Sequence, residues 1–152
     1  MAEFKTAREF LSSVWDEKMA VQRCVWDVNL LQERCEQITA CMEQPRSGGA
    51  DPHRDGTMTA LADKREELLE REKQLERREK EAEAFLDRIG DARQRAILRL
   101  RYVEQLRWTE VQKNLERMRF YYSERQVYNL HRQAVQTAER QFLEDRDLPR
   151  GA

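Results

Sequence analysis

Chain-breaking residues are scarce in this sequence. Its 152 residues include only five glycines and three prolines, and charged residues make up 38% against 39% apolar. That balance favours long solvated helices over a compact globule with a large core. The length suits one ordinary domain, or a small domain with an extended element. Long apolar runs are also missing. None approaches the roughly 20 residues that a bilayer-spanning helix needs. The opening MAEFKTAREFL carries acidic residues and no apolar core like that of a signal peptide. The expectation is a cytoplasmic protein with no membrane partner.

Cysteine is sparse and uneven. Cys24, Cys35 and Cys41 all lie in the first third of the chain, an odd number without a secretion signal. This pattern fits reduced thiols rather than a disulfide framework. No CxxC pair or neighbouring histidine accompanies them, so a metal site lacks its usual spacing. A glycine-rich phosphate loop and a Ser–His–acid set are absent as well. The expectation is a protein that is not an enzyme and has no cofactor.

Charge of one sign is lacking overall, with a net charge of -1, but the two ends differ. Residues 91–145 hold 11 Lys/Arg against 8 Asp/Glu, while residues 1–57 hold 7 against 10. Any attraction to nucleic acid therefore belongs to the C-terminal third.

Residues 5–44 contain no Pro or Gly, and their apolar residues repeat every seven. Val14, Val21, Val28, Cys35 and Met42 share one heptad position; Phe10, Cys24, Leu31 and Ile38 share another. This is the seam of a coiled coil, with Cys24 and Cys35 as small core hydrophobes. Glu17 interrupts it, and Val25 and Trp26 are expected to widen it. Residues 45–57, PRSGGADPHRDGT, form a break of loop chemistry. His53 lies there with no second histidine or carboxylate pair on its surface, and reads as an exposed loop residue.

From about Thr57 a second helix is predicted, with Leu61, Leu68, Leu75, Ala82 and Ile89 again seven apart. Its companion position carries Lys64, Arg71 and Arg78 before Phe85, so the seam is narrow. Glu67–Arg71 and Glu76–Lys80 are spaced as i,i+4 pairs, each adding a few tenths of a kcal/mol to the helix. The simplest arrangement over residues 1–90 is an antiparallel coiled-coil hairpin; pairing between two subunits is the competing one. Such helices also serve as mere spacers or oligomerisation arms.

Gly90-Asp91 marks the predicted end of that helix and the start of a C-terminal unit, 91–145, followed by a tail, 146–152. Residues 92–105 place Ile97, Leu98, Tyr102 and Val103 on an inward face. Trp108–Leu115 is a short helix with Trp108, Val111 and Leu115 spaced for packing. The third helix begins at Ser123, where Ser123 and Gln126 have capping-box spacing. Val127, Leu130 and Ala134 give it an apolar face. Its polar face offers Arg125, Gln126, Tyr128, Asn129 and Arg132, side chains suited to base edges and phosphates. The last two helices make a helix-turn-helix. His131, next to the packed Leu130, reads as structural, and Trp108, Tyr102 and Phe120 as core.

These residues carry a resemblance. LRLRYVEQLRWTEV (Leu98 to Val111), the YSER turn (Tyr122 to Arg125) and VYNLHRQAV (Val127 to Val135) resemble the DNA-binding region 4 of sigma-70 factors. More closely, they resemble small phage and prophage proteins, of the late-operon transcriptional regulator type, that place such a region behind a charged helical part. The sequence departs from that pattern at Gln112, where a small residue is usual. It departs again in the turn, where ERMRFYY separates Leu115 from Ser123. Either the second helix runs an extra turn, or Phe120 and Tyr121 form a wing-like bulge.

The resemblance implies an all-α protein: a long N-terminal coiled-coil hairpin followed by a sigma-region-4-like helix-turn-helix. The Ser123 helix would enter the major groove, with Arg125, Gln126, Tyr128, Asn129 and Arg132 at base edges. Arg107, Lys113, Arg119 and Ser123 would touch phosphates, although each charge also reads as an ordinary solvated one. The implied function is sequence-specific transcriptional regulation in a bacterial host. Its implied partners are double-stranded DNA, bacterial RNA polymerase, and a second copy bound through the N-terminal helices. Two other classes stay open. One is a DNA-packaging protein like a small terminase subunit; the other is a coiled-coil interaction protein with a vestigial helix-turn-helix.

Overall fold

The scarcity of helix breakers is matched by the architecture. A computed structural model describes residues 3–42 and 54–147, and among them the chain is all-α. Its helices are α1 (Ala7–Met42), α2 (Arg54–Asp87), α3 (Ala92–Leu98), α4 (Trp108–Arg117) and α5 (Glu124–Asp147). α3 continues into one π-helical turn, Arg99–Val103. Among the described residues no helix is long and apolar enough to cross a membrane. The chain divides into two compact units: one joins the chain up to Asp16 with the chain from Glu76 onward, and the other is Glu17–Leu75.

In the Glu17–Leu75 unit the expected heptads face inward. Cys24 and Val28 are buried, and Val21, Leu31, Cys35 and Ile38 are half-buried. The Cys24 thiol donates to the Lys64 carbonyl, 3.6 Å away, which sets α1 beside α2. Lys64 itself stands on the seam of α2 and reaches Asp27 and Glu67. The predicted Glu67–Arg71 pair forms at 3.1 Å. Val25 and Trp26 do not widen the seam: they are 38% and 68% exposed. At 100° per residue they lie off the arc that contains Cys24, Val28 and Leu31. The break is also shorter than 45–57, because residues 54–57 already belong to α2. His53, the rest of that loop and the side chain of Met42 lie outside the described residues.

The other unit is built on aromatic packing. Phe10 of α1, Phe85 of α2 and Phe142 of α5 are all nearly fully buried. Phe85 meets Phe10 and Phe142 edge-on at 5.6 and 6.3 Å, and Phe4 adds a tilted contact to Phe10. Burying one such side chain stabilises a fold by about 1.5–3 kcal/mol. The start of α1 thus lies against the end of α2, the order of an antiparallel hairpin.

Polar contacts fix α5 in this unit. Glu139 accepts from the backbone N–H groups of Ala7 and Arg8, at 3.0 and 3.1 Å. A carboxylate there satisfies two orphan donors and complements the positive end of the helix dipole. Thr6 accepts from the Glu9 N–H as a local cap. Gln141 donates to the Phe85 carbonyl at 2.7 Å, and Arg88 pairs with Asp145. α5 therefore runs to Asp147, two residues into the segment expected as a tail.

Candidate nucleic-acid interface

The helix-turn-helix begins with a firm helix start. Asp91 accepts from the N–H groups of Arg93 and Gln94 and caps α3. Ile97, Leu98, Leu100 and Val103 then face inward and are buried. The π turn places Gln105 at φ 59, in the left-handed region, and the chain reverses with Leu106 N–H donating to the Leu100 carbonyl. Arg101 holds the reversal: it donates to the Leu106 carbonyl at 2.8 Å, and its guanidinium lies 4.5 Å over the Trp108 ring.

Arg107 precedes α4 with extended backbone, and its N–H donates to Glu110. No side-chain cap answers from Arg107, because a guanidinium has no acceptor. Val111 and Leu115 are fully buried. Of the two expectations for the long turn, the helix does extend, but only two residues past Leu115 to Arg117, about half of a turn. It closes with Arg119 N–H donating to Glu116 and Phe120 N–H donating to Leu115, at 2.9 and 2.8 Å. These two bonds make a Schellman motif, with Arg119 at φ 68 where glycine is usual. Gln112 accounts for its own departure. Its amide donates to the Tyr122 carbonyl at 3.0 Å and anchors the far side of the turn.

At Ser123 the capping box forms in both directions. Ser123 N–H donates to Gln126 Oε1 at 2.8 Å, and Gln126 N–H donates to Ser123 Oγ at 3.3 Å. Val127, Leu130 and Ala134 are buried beneath this helix. On the opposite face Arg125, Asn129 and Arg132 stand exposed at i, i+4 and i+7. Tyr128 flanks them, 42% exposed and tilted against Trp108 at 4.9 Å. Ser123, Gln126, Arg107, Lys113 and Arg119 are exposed too.

The face thus brings Arg125, Asn129 and Arg132 together and holds Tyr128 at their edge. Gln126 stands apart, since capping occupies its carbonyl oxygen and leaves its amide nitrogen to donate. A bidentate contact to adenine needs both. Gln133 and Gln136 extend the exposed row, and Tyr121, 75% exposed, stands out on the turn. The helical steps from Asn129 and Arg132 carry the signal for the two glutamines; the sequence marks Tyr121 only as part of the wing-like alternative for the turn.

Beneath this face lies an aromatic cluster. His131 is hydrogen-bonded to the Tyr102 hydroxyl at 3.0 Å and meets Trp108 edge-on at 4.8 Å. Burial, and then the positive charges of Arg8 and Arg101, lower its pKa to about 4. It is a neutral packing group at physiological pH, and its ring backs Trp108, which in turn meets Tyr128. Arg101 and Arg107 also line a cavity of about 410 Å³ with Trp15, Asp16 and Gln105.

A family model described as a protein of unknown function, DUF1492, matches residues 38–139, about two thirds of the chain. The chain belongs to the DUF1492 family. Its match takes in all of α2, the helix-turn-helix and the first two thirds of α5. Neither the curated proteins nor the solved structures contain a match.

Proposed function

We propose that this DUF1492 member is a sequence-specific DNA-binding transcriptional regulator of phage or prophage origin. In this reading it acts at a promoter in the bacterial cytoplasm, in company with host RNA polymerase, and carries out no catalysis. The observation that carries it is the exposed Arg125–Asn129–Arg132 row on the first turns of α5, directly opposite the buried Val127, Leu130 and Ala134. A helix so anchored presents fixed hydrogen-bonding groups to a groove, and its rigidity is what base readout requires. The local basic excess of residues 91–145 supports phosphate attraction through Arg107, Lys113 and Arg119. The resemblance to sigma-70 region 4 supplies the promoter setting.

Selection of bound fragments from random and prophage DNA, followed by sequencing, tests this function. An enriched motif is the expected result. Absence of any motif at low salt, where even weak phosphate binding is exaggerated, sinks the regulatory reading and leaves the coiled-coil interaction protein. Native mass spectrometry separates a DNA-packaging role, since a ring of many subunits belongs to packaging and a monomer or dimer to regulation.

A further inference from the structure

Opposite its inner seam, α1 carries a second one. Within the Glu17–Leu75 unit, Met19, Arg23, Trp26, Leu30, Glu33 and Gln37 follow each other in alternating steps of four and three. That is the spacing of a coiled-coil face. It lies on the side of the helix away from Cys24 and Val28, which are buried toward α2. Met19 is half-buried and the other five are exposed, with Trp26 at 68% and Leu30 at 46%. An indole and a leucine one turn apart, both open to water, form an apolar strip of the kind that marks an interaction site. Arg23 stands three residues before this pair and Glu33 three residues after it.

We propose that this face of α1 pairs with the same face of a second copy of the chain, antiparallel, about a twofold axis level with Val28. Trp26 then packs on Leu30 of the partner subunit, and Arg23 meets Glu33 of the partner subunit. Symmetry repeats each contact. The charges choose both the occupant and the direction. A parallel pairing would set arginine against arginine and glutamate against glutamate, whereas the antiparallel register makes the face complementary to itself. The apolar pair supplies most of the affinity, and the exposed ion pairs mainly set register. This inference stands whether or not the chain binds DNA.

Sedimentation equilibrium of the full chain without DNA tests it. The wild type is expected to dimerise, and Trp26→Glu to raise the dimer dissociation constant about a hundredfold or more with helicity unchanged. Arg23→Glu and Glu33→Arg each raise it about tenfold, and the two together restore it. Monomer throughout the micromolar range overturns the proposal, as does a dimer indifferent to Trp26→Glu. Failure of the double charge swap to restore association overturns the register. Should Trp26→Glu lose its helicity, the charge variants, both at exposed positions, still decide.

Discussion

The two units of this chain use the same helices to different ends. The unit that contains α5 is closed by Phe10, Phe85 and Phe142, all nearly fully buried. Among its described residues, the Glu17–Leu75 unit has two buried seam residues on α1 and Leu61 on α2, with the other described seam residues half-open. Lys64 and Arg71 take seam positions there and are held by Glu67 rather than by apolar neighbours. Exposed ion pairs of this kind contribute little each. A heptad pattern alone therefore orders a helix pair only loosely. A cluster of large rings, drawn from three helices far apart in sequence, makes a rigid platform, and the candidate DNA-reading helix stands on that platform.

The distinction between the units stands or falls first at the aromatic core. Phe142→Ala should lower the unfolding free energy by about 3–5 kcal/mol, while Leu68→Ala, at a half-buried seam position, should cost clearly less. Equal losses in chemical denaturation would remove the distinction. Glu139→Ala should cost about 1–2 kcal/mol by uncapping α1, a loss readable as a lower Tm with the α5 surface untouched. Acid probes the same unit in another way. The folded pKa of His131, about 4, lies below its ordinary value. Stability from the neutral ring is therefore complete above about pH 6.5 and is lost as pH falls toward 4, at no more than about 1.4 kcal/mol per pH unit. His131→Asn should flatten that part of a stability–pH curve, and an unchanged slope would clear the histidine of this role. The smallest effect has the opposite sign. Arg119→Gly should stabilise by about 1 kcal/mol, since glycine relieves the left-handed backbone at that turn.

Much of this was legible in the sequence, for reasons specific to each element. The inner seam of α1 and the capping box at Ser123 rest on local spacing, and local spacing is what a sequence displays. The exposed row on α5 follows from Val127, Leu130 and Ala134 once those are placed inward. Three features were not legible. Nothing in the local spacing singles out Phe142, because its partners are Phe10 and Phe85, far away along the chain. Glu139 capping α1 is likewise a contact across most of the sequence. Gln105 and Arg119 adopt left-handed backbone without being glycine, so neither the π turn nor the Schellman closure had a residue to announce it.

Base reading by the Arg125–Asn129–Arg132 face of α5 is decided by affinity on a selected site against scrambled DNA at fixed salt. Arg125→Ala should lose about 1–3 kcal/mol on the selected site, relax discrimination at one base position, and leave Tm unchanged. An equal and uniform loss on both DNAs, or no loss on either, would contradict base reading by Arg125.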